Sequence, residues 1–395
     1  MLDPLLLGLL VIAIAIGWWL GRFEASRQRK QQSRPTTLSR DYFVGLNYLL
    51  NEQPDRAIET FAQTLEINSE TIDTHIALGN LFRLRGETDR AVRIHQNLLA
   101  RPALSDAQSD QVQLELSRDF MHLGVLDRAE RLLSTLVKET DSDEIRLAGK
   151  RLLIALFERE KEWQAAFDVA QSQLIRQDES IRRAAAHWLC ELAEEDIANG
   201  SGTLARKRLR QALAIDPQCV RVNWILADME HRAGQYRQEV RILQRIREQD
   251  ARFTPIILEP VSLAFEMLDD EQGLIDFLYA QVDQAPYISS VLMLAQRLRS
   301  RHGMQAATQL VSEHLHRYPS LRGIDYLMTL YLDDTSSRHE HDHILLLKRH
   351  TTQLLKQRPR HRCERCGFTA SQLYWHCPQC HHWGTVKPIT GLEGE

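Results

Sequence analysis

At 395 residues and 43% hydrophobic composition, the chain is long enough to bury a large core, either as several compact domains or as one long repeat array. Its 49 basic and 53 acidic residues give a net charge of −4, so no global excess of positive charge points to nucleic acid as a partner. Only 12 prolines and 18 glycines occur, and long stretches are rich in Ala, Leu, Glu, Arg and Gln, which lose little side-chain freedom in helices. The composition predicts a mainly helical protein.

The chain begins with an uncharged apolar segment, PLLLGLLVIAIAIGWWLG, at residues 4–21. At about 1.5 Å of rise per residue, this segment nearly crosses a hydrocarbon core of ~30 Å. Trp18 and Trp19 suit the membrane interface, and the basic residues that follow predict that this end faces the cytoplasm. No Lys or Arg precedes the apolar run and no small-residue cleavage site follows it, which argues against a cleaved signal peptide. Residues 1–21 are therefore predicted to be a transmembrane anchor.

Two further expectations concern this end of the chain. Residues 22–40 are basic and polar and contain a proline, so they are predicted to form a short tether between the membrane and the rest of the chain. Gly17 and Gly21 have the spacing of small residues that lets two transmembrane helices approach closely, although glycines at the end of a span also relax the helix. A homodimer is one reading of this spacing.

A mostly small residue recurs through the middle of the chain at intervals of 34, 38, 37, 39, 34, 34 and 34 residues. The positions are Ala57, Ala91, Ala129, Ala166, Ala205, Glu239, Gly273 and Ala307. The period of 34 resembles that of the tetratricopeptide family, in which small residues let two antiparallel helices touch and the pairs stack into a superhelix with a groove. Residues 41–335 are predicted to form these repeats. Glu239 and Gly273 depart from the small-apolar rule, and the long intervals predict less regular packing in the third to fifth units.

The groove of such an array is the expected surface for protein partners. In the repeat register, this face is predicted to carry Asn80, Arg83, Arg221, Asp228, His231, Gln296 and Arg299. The alternative is that these residues are ordinary solvated surface, where most polar side chains lie.

A strong motif follows near the C-terminus, CERCGFTASQLYWHCPQC, in which two Cys-x-x-Cys pairs are ten residues apart. Such pairs can each direct two thiolates at one ion, which predicts a tetrahedral metal site at Cys363, Cys366, Cys377 and Cys380. Spacing alone does not distinguish iron from zinc. Gly367 stands where the turn needs a positive φ, and Pro378 stiffens the second pair. Residues 359–395 are too few to build a core of their own and are expected to pack on the repeats.

The remaining cysteines and a histidine cluster have plainer interpretations. Cys190 and Cys219 stand alone in sequence and are predicted to be small buried core residues. The HEHDH stretch, with His339, His341 and His343, is interpreted as a polar loop before a helix that begins near Ile344 rather than as a second metal site. Residues 336–358 are thus expected to be a loop and a terminal helix.

The chain contains no phosphate-binding loop, dinucleotide fingerprint, HExxH or nucleophile elbow, so we expect a protein that is not an enzyme. The predicted fold class is all-α: a tetratricopeptide-repeat superhelix with an N-terminal transmembrane helix and a small C-terminal rubredoxin-like or zinc-ribbon metal-binding domain. The cysteine pairs resemble those of rubredoxins, but the loop between them is shorter, and His381 and His382 end the second pair where a Gly would be typical.

The combination of anchor, repeats and metal-binding segment resembles the lipopolysaccharide assembly protein B family of Gram-negative bacteria. That resemblance implies an inner-membrane adaptor, with its bulk in the cytoplasm, that promotes degradation of the deacetylase LpxC by the membrane protease FtsH and gathers other lipopolysaccharide-assembly membrane proteins. It also implies that the four cysteines bind iron. Two alternatives stay open at this point: a general membrane-tethered assembly platform without a proteolytic role, and a rubredoxin-type electron-transfer protein.

Overall fold

The computed structural model describes residues 72–395 except 103, 286, 335–337, 393 and 395, and, before them, Val44, Asn47, Tyr48, Arg56 and Thr60. The predicted anchor (1–21) and tether (22–40), with Gly17 and Gly21, lie outside the described residues, as does Ala57. Among the helices that are described, none is both long and apolar enough to cross a membrane.

Helices dominate the part of the chain that is described. They are α1 Ile72–Leu84, α2 Thr88–Leu99, α3 Asp106–Leu123, α4 Leu126–Glu139, α5 Asp143–Glu160, α6 Trp163–Gln177, α7 Glu179–Ala198, α8 Gly202–Ile215, α9 Val220–Arg232, α10 Tyr236–Gln249, α11 Thr254–Met267, α12 Glu271–Gln284, α13 Ile288–His302, α14 Met304–Arg317, α15 Leu321–Asp334 and α16 Arg338–Gln357. A 3₁₀ turn, Ala251–Phe253, precedes α11, and three short strands follow α16: β1 His361–Cys363, β2 Thr369–Ala370 and β3 Val386–Pro388. The predicted helical repeats are present, and a small β element ends the chain.

The periodic small residues occupy equivalent positions in the second helix of each pair. Ala91, Ala129, Ala166, Ala205 and Ala307 are each the fourth residue of their helix and are fully buried. A side chain no larger than a methyl group lets the first helix of the pair approach closely, which is how the repeat period translates into packing.

The two exceptions in this series differ from each other. Glu239 keeps the fourth position of α10 and is 3% exposed, with its carboxylate bonded to His231 Nδ1 at 2.9 Å. Gly273 is only the third residue of α12, and the buried fourth position is held by Leu274. In the sequence analysis, this member of the series was therefore placed one residue too early. An exact interval of 34 residues leads to Gly273, whereas the structure buries the next residue, Leu274, at the equivalent position.

The long intervals have a simple structural origin. Helices α3, α5 and α7, the first helices of their pairs, contain 18, 18 and 20 residues, whereas the later first helices α9, α11, α13 and α15 contain 13 to 15. The extra residues add about one turn to each first helix rather than lengthening the loops.

The chain divides into two compact units, residues 1–152 and 153–395. In the first unit, α1, α2 and α3 enclose a charged network. Arg83 donates to Asp119 Oδ1 at 2.7 Å and to Glu115 Oε2 at 2.8 Å, while His95 Nδ1 lies 2.5 Å from Asp119 Oδ2. His95 and Asp119 are fully buried, so each depends on the other to satisfy its polar atoms.

Gly79 lies directly against this network. A Cβ added to Gly79 would be 2.4 Å from His95 Nε2, a distance that the packed ring cannot accept without moving away from Asp119. We expect Gly79→Ala to lower the free energy of unfolding by about 1–3 kcal/mol, measured by urea denaturation. Gly202→Ala is the matched control, because its Cβ would meet only Met229 Cε at an ordinary 3.7 Å. Equal stability of the two variants would contradict this account.

In the second unit, the helix pairs bury a continuous apolar core. Its members include Ile246, Phe253, Ile257, Leu278 and Leu294, and two side chains from the C-terminal segment, Leu373 and Trp375, pack against it. The C-terminal segment is therefore seated on the repeats of its own unit, as its small size predicts.

The HEHDH interpretation needs correction. Helix α16 begins at Arg338, so the residues predicted to form a loop before Ile344 are helical. Glu340 lies in the first turn of that helix, where a carboxylate interacts favourably with the helix dipole, which explains how a polar sequence can start the helix six residues earlier.

Candidate metal centre

The first cysteine pair lies in a tight turn that follows β1. The Gly367 amide donates to the Cys363 carbonyl at 3.0 Å, and the Cys363 amide donates to the Phe368 carbonyl at 2.7 Å. Gly367 has φ of 76°, a left-handed conformation that glycine adopts without strain. The turn brings Cys366 back beside Cys363, and the positive φ predicted for Gly367 is confirmed.

The second pair repeats the same hydrogen-bond pattern. The His381 amide donates to the Cys377 carbonyl at 2.9 Å, and the Cys377 amide donates to the His382 carbonyl at 3.0 Å. His381 takes the position that Gly367 has in the first turn and adopts φ of 53°. A non-glycine residue pays a conformational cost there, of the order of 1 kcal/mol, so the turn tolerates the departure from glycine rather than requiring histidine.

The two turns face each other and bring the four sulfurs together. Cys363 Sγ lies 3.7 Å from Cys380 Sγ, Cys366 Sγ lies 3.7 Å from Cys377 Sγ, and all four atoms are within 4.8 Å of one another. All four cysteines are free, with no disulfide between them. Zn–S bonds of about 2.3 Å in a tetrahedron place sulfurs about 3.8 Å apart, so the arrangement suits one metal ion held by four thiolates.

The environment of the thiols is uneven. Burial raises the pKa of Cys363, but its hydrogen bond with Thr385 Oγ1 at 3.3 Å and the nearby amides of Cys366 and Arg365 outweigh burial and lower the pKa to about 6. Burial and the neighbouring thiols raise the pKa of Cys380 to about 12. A cation bound by all four sulfurs must therefore displace protons, which makes metal affinity dependent on pH.

A shared carboxylate joins the metal-binding segment to the repeats. Glu158 Oε1, on α5, accepts a hydrogen bond from Trp383 Nε1 at 2.6 Å and another from Trp188 Nε1, on α7, at 2.8 Å. Trp383 is 5% exposed and Trp188 is fully buried. Because a buried indole N–H needs an acceptor, this one carboxylate satisfies two tryptophans that come from opposite sides of the contact.

The ring of Trp383 is held by further aromatic contacts. It stacks on His376 with ring centroids 4.3 Å apart and on His187 of α7 at 5.2 Å, and Trp163 of α6 meets it edge-on at 5.7 Å. A second tryptophan of the segment, Trp375, stacks on Phe253 at 5.9 Å. The two tryptophans flank the second cysteine pair, so contacts with the repeats determine where that turn lies.

A network of ion pairs joins the other edge of the metal-binding segment to the repeats. Asp250, which precedes the 3₁₀ turn, accepts from Arg252 at 2.8 and 2.9 Å and from Lys387 of β3 at 3.0 Å. Arg252 also pairs with Glu364, between the first two cysteines. Burial opposes ionisation of Asp250, but its bonds with Arg252 and Lys387 outweigh burial and lower the carboxyl pKa below its usual value.

The pH dependence of this network has a definite sign. Because the pKa of Asp250 is lower in the folded state than in the unfolded chain, its contribution is complete above about pH 4, the unfolded value, and is lost as the pH falls through the folded value. We expect Asp250→Asn to lower the free energy of unfolding by about 1–3 kcal/mol at neutral pH. The difference from the unsubstituted chain should shrink as the pH falls below about 4. Urea denaturation across this pH range measures it, and a constant difference would contradict the assignment.

Comparison with known proteins places the chain in a family. The curated lipopolysaccharide assembly protein B of Escherichia coli strain K12 is 36% identical over 394 residues and covers 100% of both chains. The protein of the same name from Haemophilus influenzae is 34% identical over 400 residues, covering 98% of this chain and 99% of its own. The chain belongs to the lipopolysaccharide assembly protein B family.

Matches to individual segments agree with the geometry. The model for a rubredoxin metal binding domain matches residues 361–388, and a tetratricopeptide repeat model matches residues 74–107. A crystal structure of a tetratricopeptide repeat protein from Parabacteroides merdae covers 66% of this chain and 99% of its own, at 12% identity and a TM-score of 0.34, a likeness too weak to add to the argument.

The predicted partner-binding residues are placed in different surroundings. Asn80 accepts from Arg83 at 2.8 Å beside the Asp119 network in the first unit. In the second unit, Arg221 is 4% exposed and pairs with Glu191 and Glu194. Internal partners thus already engage part of the predicted set.

The others lie nearer the surface of the second unit. Asp228 and His231 come together at a cavity of about 400 Å³ that also has Trp224 and Leu263 in its wall. Gln296 and Arg299 are exposed on α13, where Arg299 pairs with Asp333 of α15. Asp228 and His231 therefore share one concave surface, whereas Gln296 and Arg299 do not contribute to it.

The residues that seat the metal-binding segment were not identified from the sequence. Glu158, Asp250 and Lys387 have no motif of their own. A usable signal was present in the segment itself, because Trp375 and Trp383 flank the second cysteine pair in a stretch with too few apolar residues to bury two indoles.

Proposed function

We propose that the chain is an adaptor of lipopolysaccharide assembly, tethered to the inner membrane, whose repeats hold client proteins on the cytoplasmic side. The observation that carries this proposal is the relationship, over the full length, to proteins named lipopolysaccharide assembly protein B. Stacked helix pairs suit protein–protein recognition because they expose a long surface on a rigid frame. We assign the chain no catalytic role.

The metal-binding segment fits this proposal as a structural element. Cys363 and Cys377 are buried, and the segment is held by the Trp383–Glu158 bond, by the Trp375–Phe253 stack and by the Asp250 network. Four sulfur ligands close the coordination sphere of a tetrahedral ion, which leaves no open position for a substrate. We propose that one ion, iron or zinc, maintains the folded structure of the metal-binding segment.

The finer proposal concerns which clients are held. We propose that the adaptor presents the deacetylase LpxC to the membrane protease FtsH and so limits lipopolysaccharide synthesis, with residues 1–21 as the anchor that brings the client to the protease. The predicted anchor and the family relationship support this role. Other lipopolysaccharide-assembly membrane proteins are candidate partners of the same surface.

The half-life of LpxC in the bacterium that encodes this chain tests the proposal. Depletion of the chain should lengthen that half-life, and the unsubstituted chain should restore it. The double variant Cys363→Ser with Cys366→Ser, and a chain without residues 1–21, should both fail to restore turnover when immunoblots show equal amounts. An unchanged half-life on depletion would remove the proteolytic role and leave an assembly platform that recruits partners without destabilising them.

The electron-transfer alternative has a separate test. A rubredoxin-type carrier needs iron, because zinc has no accessible redox chemistry. Replacing the metal with zinc and measuring LpxC turnover therefore separates the two roles: full activity of the zinc-loaded chain supports the adaptor, whereas activity only with iron would favour electron transfer.

A further inference from the structure

The last helix pair of the repeats leaves an apolar stripe open to solvent. On α16, Leu346, Leu347 and Leu354 are 54%, 61% and 52% exposed, and no other described helix carries three large apolar side chains that are more than half exposed. The adjoining α15 exposes Ile324 and Tyr331. A solenoid usually ends in a repeat with a polar outer face, because no further repeat covers it. This pair departs from that rule, and the described chain passes from α16 into β1 without another helix.

Packing against α15 uses a different side of α16. Ile344, Leu345 and Leu355 are half-buried, and Thr352 Oγ1 donates a hydrogen bond to Asp325 Oδ1 of α15 at 2.6 Å. At about 3.6 residues per turn, the four residues of α16 lie within an arc of about 100° around the helix axis. The three exposed leucines fall outside this arc. They do not serve the contact with α15 and are available to a partner.

The same helix carries positive charge that the fold does not neutralise. The stretch His343–Gln357 contains three Lys or Arg residues and no acidic residue, and the two carboxylates of α16 precede it. Arg349 and Lys356 are exposed, share one side of the helix at a spacing of seven, and have no ion-pair partner among the described residues. By contrast, Arg299 and Arg301 of α13 each pair with a carboxylate. The exposed leucines therefore lie on a basic helix, although the chain as a whole has a net charge of −4.

This combination of charge and apolar surface fits an anionic lipid bilayer better than a second copy of the chain. Two α16 helices facing each other would bring their basic side chains together, and like charges in an interface oppose association. A helix with exposed leucines and neighbouring Lys or Arg is typical of those that lie in the membrane interface, where the apolar side chains reach the acyl boundary and the cations stay among the phosphates. The cytoplasmic leaflet supplies the matching negative charge.

We propose that α16 lies in the interface of an anionic bilayer, with Leu346, Leu347 and Leu354 at the acyl boundary and Arg349 and Lys356 on lipid phosphates. The helix has 20 residues, so about 30 Å of its length lies along the bilayer surface. This contact rests on the proposed membrane tether, which keeps lipid at a high effective concentration. It gives the second unit a membrane attachment of its own.

Photocrosslinking to lipid tests the proposal. The full-length chain with its metal bound carries Leu347→p-benzoylphenylalanine and is reconstituted in nanodiscs of phosphatidylcholine with phosphatidylglycerol, or of phosphatidylcholine alone. After irradiation and trypsin digestion, position 347 is in peptide 339–348. We expect this peptide to carry the mass of one phospholipid in the discs with phosphatidylglycerol and to carry much less in the others. Tyr279→p-benzoylphenylalanine, at an exposed position of α12, is the matched control and should give no lipid adduct.

Three results would overturn the proposal: no lipid adduct at position 347, equal adducts at positions 347 and 279, or an adduct at position 347 to a second copy of the chain. The half-life of LpxC is a separate readout. A chain that supports LpxC turnover without the lipid adduct would remove this proposal alone. A lipid adduct at position 347 in a chain that has no effect on LpxC would support this proposal and remove the proteolytic role alone.

A pair of charge reversals tests the part played by the basic residues. Arg349→Glu with Lys356→Glu leaves the leucines in place, and the lipid adduct in the discs with phosphatidylglycerol should fall at least about fivefold, because each basic residue near an anionic surface strengthens binding by about that factor. Arg237→Glu with Arg241→Glu, exposed on α10, makes the same change in net charge and should leave the yield unchanged. Equal yields from the two double variants would overturn the proposal.

Discussion

Cys377→Ser is expected to abolish stable metal binding and to loosen residues 361–388 from the repeats. Cys377 is fully buried and its sulfur is 3.7 Å from that of Cys366, so a serine cannot replace it without leaving an incomplete sulfur cluster in the interior. A tetrahedral zinc site contributes about 10–16 kcal/mol of apparent binding free energy to small domains, far more than three short strands can supply. The segment should therefore lose its order while the helices of the repeats persist.

Metal content and tryptophan fluorescence measure this outcome. Elemental analysis should find about one metal ion per unsubstituted chain and close to none in the variant. Fluorescence should change because Trp375 and Trp383 flank Cys377, whereas far-ultraviolet circular dichroism should keep its helical signal. Cys190→Ser is the matched control, since it removes a buried cysteine outside the cluster and should retain the metal. Full metal content in Cys377→Ser would show that these thiolates do not hold the ion.

Features that depend on local spacing were predictable from the sequence. Among the described residues, the alanines of the series are each buried at the fourth position of their helix, as a repeating helix pair predicts. The four-cysteine cluster forms because each Cys-x-x-Cys turn is closed by its own backbone hydrogen bonds. In both cases the partners are near in sequence, so the pattern contains the information needed to place them.

Features that depend on contacts between distant segments were not predictable in this way. Glu158 and Trp383 are 225 residues apart, and no local pattern distinguishes this glutamate from its neighbours on α5. Arg83 and Arg221 were predicted from the repeat register to lie on the groove face, and the structure adds that each pairs with two carboxylates within the fold. Which charge is satisfied internally depends on the packing of neighbouring helices, and the repeat register does not report it.

Trp383→Ala is expected to be the most damaging single substitution at the contact between the metal-binding segment and the repeats. It removes a nearly buried indole that stacks on His187 and His376, and it leaves Glu158 with Trp188 as the remaining donor to its Oε1 atom. Truncating a buried tryptophan costs about 3–5 kcal/mol, through lost contacts and the cavity left behind. Because the cysteines themselves are untouched, the variant should still bind metal but should hold it less securely.

The rate at which a chelator removes the metal distinguishes this effect from general destabilisation. Trp383→Ala should release its metal faster than the unsubstituted chain at the same temperature. The reason is that the metal-binding segment opens more often when its contact with the repeats is weakened. Trp224→Ala is the matched control: it removes a partly buried tryptophan of the same unit that lines the cavity beside Asp228 and is remote in sequence from the cysteines. If both variants release metal at the same rate, the Trp383 contact does not control the site, and the metal-binding segment keeps its structure without the repeats. If only Trp383→Ala accelerates release, the repeats and the metal stabilise the segment together, and any client that distorts α5 or α7 would also change how firmly the ion is held.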